Sequence, residues 1–134
     1  MEITGMPRPL DWNAFADAWC AAWNAHDVER VLAHFHDDAV FTSPGAARIV
    51  PASGGTVRGK DALRAYWTEA LRRIPDLHFA VEQVFAGIDT LVIQYRNQKG
   101  VSVSEVLVFE DGRVRAGHGT YPIGVDNPVG AAAG

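Results

Sequence analysis

The sequence predicts an α+β fold in which helices come first and a curved antiparallel sheet follows. Three observations carry this prediction. Apolar residues repeat at helical spacing from Trp12 to Phe35 and again from Leu63 to Ile74, the period changes to two after Leu77, and short glycine-containing breaks separate the period-two runs. A short chain of this kind makes a cone, with three N-terminal helices plugging the concave side of the sheet.

Asp11 can cap a first helix whose apolar residues Trp12, Phe15, Trp19, Ala22 and Trp23 form one wide aromatic stripe. Asp27 is a second N-cap candidate. Val28, Val31, Leu32 and Phe35 continue the one-face spacing in a short second helix that ends between His34 and Asp37. Ala39 to Thr42 reads as a brief strand stopped by Pro44, which has no amide hydrogen to give to a ladder. Residues 44 to 59 hold four glycines and two prolines with little periodicity, so a long loop is expected there, with at most a short strand near Thr56 to Arg58.

The third helix is the clearest element. Leu63, Tyr66, Trp67, Ala70, Leu71 and Ile74 form an unbroken stripe, Asp61 lies in the first turn, and Arg72 and Arg73 in the last complement the macrodipole before Pro75 ends the helix. Leu77 to Ala86, Thr90 to Gln98, Val101 to Glu110 and Arg113 to Tyr121 then read as a four-strand antiparallel meander. Asp111-Gly112 between two of these runs is a strong hairpin signal, because glycine accepts the positive φ of a tight turn. The expected organisation is a flexible N-terminal segment over residues 1–10, one domain over 11–121 and a flexible C-terminal tail over 122–134.

Composition narrows the function. With 134 residues, 48% of them hydrophobic, the chain can bury a core without disulfides or a structural metal, and its single cysteine, Cys20, allows no internal bridge. The formal charge is −4 and the longest basic run is Arg72-Arg73, which argues against a nucleic-acid partner. No run of 18 apolar residues can span a bilayer, and Glu2, Pro7 and Pro9 interrupt the place of a signal-peptide core. A cytoplasmic protein with no membrane contact is the expectation. Phosphate-loop, nucleophile-elbow, zinc-protease and Cys-x-x-Cys patterns are missing from the sequence.

Three segments carry a family resemblance: Trp23-Asn24-Ala25-His26-Asp27 at the first helix junction, Phe35-His36-Asp37-Asp38-Ala39-Val40-Phe41 leading into the first strand, and Gly59-Lys60-Asp61-Ala62-Leu63 opening the third helix. In this order and spacing they resemble the nuclear transport factor 2-like superfamily, and within it the SnoaL-like proteins, over residues 11 to 121. The resemblance implies a cystatin-like conical barrel, a pocket between helices and sheet, a homodimer through the outer sheet face, and no cofactor. Its members include ketosteroid isomerase, scytalone dehydratase, limonene epoxide hydrolase, polyketide cyclases and transport factors, so the fold alone does not settle the function.

Carried over by motif, the first-helix tyrosine of ketosteroid isomerase falls on Trp19, its aspartate base on Ser43 and its protonated aspartate on Glu105. An indole donates one hydrogen bond but is no phenolic acid, and a serine without a base shuttles no proton. Only the carboxyl group is kept, which argues against steroid isomerisation. Glu105 also stands out by itself. Among Val101, Val103, Leu107 and Phe109 it is the one polar residue on an apolar strand face, where desolvation would raise its pKa and make it an acid or a hydrogen-bond donor. The alternatives are a carboxyl tied to a neighbouring Tyr, Trp or backbone group, or an inverted strand that leaves it at an interface.

By the resemblance, Trp19 and Trp67 are pocket walls, whereas Trp12, Phe15 and the meander phenylalanines read as core. His78 and His118 lie on meander runs that could face the pocket or a partner subunit; His118, or else His78, is the candidate to complete an acid/base pair with Glu105. Tyr95 and Tyr121 are candidate hydroxyl donors. His34-x-His36 beside Asp37 and Asp38 has the residue types of a metal site, but histidine at a helix C-terminus already suits the dipole, and no metal is expected; His26, in a turn, is expected to be solvated. Together these point to a protein that binds a small apolar or aromatic molecule in an aromatic-lined cavity. The alternative is a cofactor-independent isomerase, cyclase or dehydratase using Glu105, and a third reading is a protein-interaction module.

Overall fold

The computed structural model describes residues 11–124. The segment expected to be flexible at the N-terminus, and all but 122–124 of the expected tail, lie outside the described residues. The chain runs through α1 (Trp12–Asn24), α2 (Val28–Leu32), β1 (Phe35–Thr42), α3 (Pro44–Ile49), one 3-10 turn (Pro51–Ser53), β2 (Thr56–Arg58) and α4 (Lys60–Arg73). The strands β3 (Ala80–Ala86), β4 (Thr90–Arg96), β5 (Ser102–Glu110) and β6 (Arg113–Thr120) follow.

Local chemistry accounts for the helix starts. The Asp11 carboxylate accepts from the Ala14 amide at 3.0 Å, and the Asp27 carboxylate from the Arg30 amide at 3.1 Å, each satisfying a free first-turn donor. His26 sits between the two helices with φ of 55°, and its Nε2 pairs with the Leu77 carbonyl at 2.9 Å. The expectation of a solvated side chain is therefore corrected: His26 ties the turn to the segment ahead of β3.

The long loop expected over residues 44 to 59 is also corrected. Ser43 caps α3 by accepting from the Gly45 amide at 3.0 Å, and Pro44 occupies a first-turn position that needs no amide donor. The same proline that stops β1 thus starts a helix, and the described residues hold four α-helices instead of the expected three.

The sheet has six strands in the order β2-β1-β6-β5-β4-β3. All neighbours are antiparallel except β1 and β6, which run parallel, so the sheet is mixed and not wholly antiparallel. The exception follows from the path: α3, β2, α4 and the first three meander strands together form the crossover that a parallel pair requires.

The core lies between the helices and the inner sheet face. Strict alternation buries Leu91, Ile93 and Tyr95 on β4 and Val103, Glu105, Leu107 and Phe109 on β5. On β6 the alternation breaks. Val108 faces Ala116 while the next residue, Phe109, faces Val114, which leaves Arg115 as an extra residue and reverses the inside and outside of everything after it. Val114, Gly117 and Gly119 consequently point inward.

Candidate functional site

A cavity of about 50 Å³ lies between α1, α4 and the inner face of the sheet. Trp19 and Trp23 of α1 and Tyr66 and Trp67 of α4 form its helical wall. Phe41 and Ser43 close one end, Leu77 and Phe79 another, and Tyr95, Glu105, Gly119 and Tyr121 come from the sheet side. The aromatic rings support one another. Trp19 stacks on Phe79 with centroids 5.8 Å apart, Trp23 meets Trp67 edge-on at 5.2 Å, and Phe79 lies 4.0 Å from Tyr95.

Asn24 fixes one part of this wall. Its Nδ2 donates to the Phe79 carbonyl at 2.9 Å, and its Oδ1 accepts from the Phe79 amide at 2.8 Å. Phe79 precedes β3 and has no ladder partner, so the asparagine side chain takes the place of a neighbouring strand. The Cys20 thiol donates to the same carbonyl at 3.1 Å and burial pushes its pKa up, as befits a packed thiol and not a nucleophile.

Of the residues singled out from the sequence, the structure brings Trp19, Ser43, Trp67, Tyr95, Glu105 and Tyr121 to one cavity. It does not bring His78 or His118 there. His78 lies ahead of β3 and is exposed, because the extended chain turns Leu77 and Phe79 inward on either side of it. His118 lies across the ladder from Val106 on the outer face, where its Nδ1 pairs with Thr42 Oγ1 at 2.8 Å. The bulge at Arg115 is the physical reason. Without it, counting from Val114 by twos would put His118 inside. The expected pairing of Glu105 with either histidine is corrected accordingly.

Glu105 is only 6% exposed, and burial raises its carboxyl from the ordinary 4.5 to about 7, with the nearby Tyr95 hydroxyl acting in the opposite direction. The tyrosines respond to the same environment. Tyr66, Tyr95 and Tyr121 are all pushed well above the usual phenol range, first by burial and then by the nearness of Glu105, while the Ser43 hydroxyl opposes the shift in Tyr66 and Tyr121. Near neutral pH the cavity therefore presents neutral phenols and a carboxyl close to half protonated. Such a set can donate to, or accept from, oxygen atoms of a neutral ligand.

Sequence reasoning missed several lining residues. Trp23 and Tyr66 were legible only as members of helix stripes, and the expectation that the meander phenylalanines are all core is corrected: Phe79 lines the cavity and Phe85 is half exposed on the outer face. Gly119 gives no signal in the sequence at all: it faces Glu105 across the ladder, and a Cβ there would come within 3.2 Å of Ser43 Oγ. Its lack of a side chain helps keep the cavity open. Trp23 has a second distinction. Its indole Nε1 is buried without a hydrogen-bond partner, a condition that costs roughly 1–3 kcal/mol and singles out this wall as short of an acceptor.

Among the described residues no group of three or more His, Cys, Asp and Glu side chains is placed to hold a metal ion. His34 packs edge-on against Phe15, and His36 Nε2 pairs with the Glu110 carbonyl, so the two are engaged separately. No helix of the described residues is long and apolar enough to cross a membrane.

Comparison with known proteins agrees with this architecture. A SnoaL-like protein of unknown function from Burkholderia thailandensis E264 is 40% identical, with a TM-score of 0.80 over 87% of this chain and 98% of its own. Two more distant structures share the fold. TerC, co-crystallized with polyporic acid, is 16% identical with a TM-score of 0.68 over 84% of this chain and 92% of its own. A Catenulispora acidiphila DSM 44928 protein with a ketosteroid isomerase-like fold, in complex with trimethylamine, is 17% identical with a TM-score of 0.63 over 80% and 84%. No curated protein matches the chain. Residues 16–117 match the SnoaL-like domain, which spans most of the α+β unit, and the chain therefore belongs to the SnoaL-like family.

Proposed function

We propose that this protein binds a small neutral aromatic or apolar molecule bearing at least one oxygen function, held between the tryptophans of α1 and α4 and the Glu105 carboxyl. The observation that carries the reading is the convergence of one buried carboxyl, three phenols and the Ser43 hydroxyl on a cavity otherwise walled by aromatic rings. Apolar walls with a few convergent polar groups are the usual composition of a ligand site. The indole N–H of Trp23, a residue of the same wall, is buried without an acceptor. Two proteins of this fold crystallised with small molecules, polyporic acid and trimethylamine, lend support at the level of the fold.

The cavity is smaller than the ligand this requires. A water molecule takes up about 30 Å³ and a benzene-binding cavity about 150 Å³, against about 50 Å³ here, so binding must displace part of the wall. Titration with benzyl alcohol, followed by calorimetry and by tryptophan fluorescence, tests the reading. Saturable binding with quenching is expected, since three of the four tryptophans line the cavity. Absence of saturation for benzyl alcohol, benzaldehyde and acetophenone alike would refute it.

One observation favours a second reading. A carboxyl held near pKa 7 in a dry site can act as a general acid, which keeps open a cofactor-independent isomerase, cyclase or dehydratase with Glu105 as acid or hydrogen-bond donor. No histidine shares the cavity to serve as the companion base, so binding is the preferred reading. The two readings separate on Glu105→Gln: a variant that binds a converted substrate yet loses turnover supports catalysis, and equal turnover excludes a role for Glu105.

A further inference from the structure

Beside the cavity lies a separate open groove of about 410 Å³, formed by Val50, Val57, Ala62, Ala65 and Tyr66 with the polar Ser53, Thr56 and Arg58. Its lining is largely apolar. Tyr66 is the residue common to both spaces: it belongs to the cavity wall and to the groove floor, and it lies at a centroid distance of 6.4 Å from Phe41 inside. The inner space is too small for an aromatic ligand, and the outer one is large enough but holds none of the buried polar groups that would orient such a ligand.

Resting on the proposed ligand-binding role, we infer that cavity and groove are two halves of one site, with Tyr66 as the partition between them. The ligand class that fits is an aromatic or alicyclic alcohol or carbonyl compound with an extended apolar substituent. Its oxygen-bearing head would replace the Tyr66 ring next to Glu105, and its tail would lie over Ala62 and Ala65.

The surroundings of Tyr66 suit this role. The residue is buried on α4 against Phe41 and Trp67, and a change of its side-chain rotamer would open the partition while leaving the helix backbone in place. Ala62 and Ala65 are exposed small residues one turn and one residue before it, and they leave the helix surface bare where a tail would pass. Val50 lines the same groove from the segment after α3, whose first turn Ser43 caps, and Val57 from β2, where it pairs with Phe41 of β1.

The test compares benzyl alcohol with 4-pentylbenzyl alcohol by calorimetry on the full chain, and again on Ala65→Trp and Ala62→Trp. Each buried methylene is worth about fourfold in affinity, so burial of three gives more than tenfold. The expected result is a Kd ratio of tenfold or more in the unmodified protein, falling below threefold in at least one tryptophan variant. The ratio compares two ligands in the same protein, so a folding defect does not imitate it. A ratio below tenfold in the unmodified protein overturns the inference while leaving the cavity reading intact if benzyl alcohol binds. So does a ratio unchanged in both variants, or one that reaches tenfold only after residues 125–134 are removed, which would assign the groove to the chain's own C-terminus. Failure of both alcohols to bind overturns the cavity reading and this inference with it.

Discussion

Gly119 stands directly across the β5–β6 ladder from Glu105, and a methyl group placed on it would lie 3.7 Å from Glu105 Oε1 and 3.2 Å from Ser43 Oγ. Gly119→Ala is therefore expected to crowd the polar end of the cavity. Its backbone is not in the left-handed region, so alanine brings no conformational strain. Benzyl alcohol affinity should fall by about tenfold or more, with Tm within about 3 °C of the parent. Calorimetric titration and scanning calorimetry check the two halves, and an unchanged affinity would remove Gly119 from the site.

Gly117 provides the contrast. A Cβ there would meet Phe41 Cδ1 at 2.9 Å and Leu107 Cδ2 at 3.2 Å, both within the packed core. Gly117→Ala should cost about 1–3 kcal/mol in urea unfolding, the range for overpacking. The two glycines are two residues apart on one strand, yet one substitution should read out in binding and the other in stability.

Glu105 sets a pH dependence with a definite sign. Its folded-state pKa of about 7 lies above the unfolded value of 4.5, so between these limits the native state holds more protons than the unfolded one. The stability associated with this carboxyl is fully present below about pH 4.5 and is lost as pH rises through 7. The loss amounts to at most about 3 kcal/mol. Glu105→Gln should thus gain stability relative to the parent at pH 8.5 and not at pH 4.5. Urea melts of the two proteins across this range isolate the difference, and parallel pH profiles would show that Glu105 ionises normally.

Asn24→Ala removes both hydrogen bonds to the Phe79 backbone and leaves its amide without a partner. The expected cost is about 2–3 kcal/mol. Because Phe79 stacks on Trp19, near-ultraviolet circular dichroism should change along with stability. A stability loss without any change in the tryptophan signal would mean that Phe79 holds its place by packing alone.

The outer sheet face bears on self-association. Thr42, His118, Val106, Val92 and Phe85 lie side by side across five strands, and Phe85 is 50% exposed. We propose that this row is the core of a homodimer interface. Light scattering should give twice the mass of one chain for the parent and a single mass for the double variant Val92→Glu, Val106→Glu. A monomeric parent would discard the proposal.

Much of this was legible in the sequence because the deciding signals are local. The α4 stripe, the Asp11 and Asp27 caps and the Asp111-Gly112 turn each need only a few consecutive residues, and each is where the pattern put it. The inward face of Glu105 follows from alternation along β5, which no bulge interrupts before Phe109. What escaped depends on longer-range geometry. Pro44 marks a strand end and a helix start with the same residue, and the helix shows only once Ser43 is seen to cap it. His118 was misplaced because one extra residue on β6 cannot be located without its partner strand. Gly119 escaped because its contribution is the space it leaves.

That extra residue, Arg115, sets the phase of a whole strand end. Deleting it would leave Val114 joined to Ala116 in the register they already hold, with Gly117 and Gly119 still inward and His118 still outward; only with Arg115 kept and drawn into the ladder would the strand end slip by one and turn the imidazole toward the buried carboxyl. A cavity furnished for holding a neutral guest and one equipped with a carboxyl and a base thus differ, in this protein, by whether one residue is counted in the ladder or skipped.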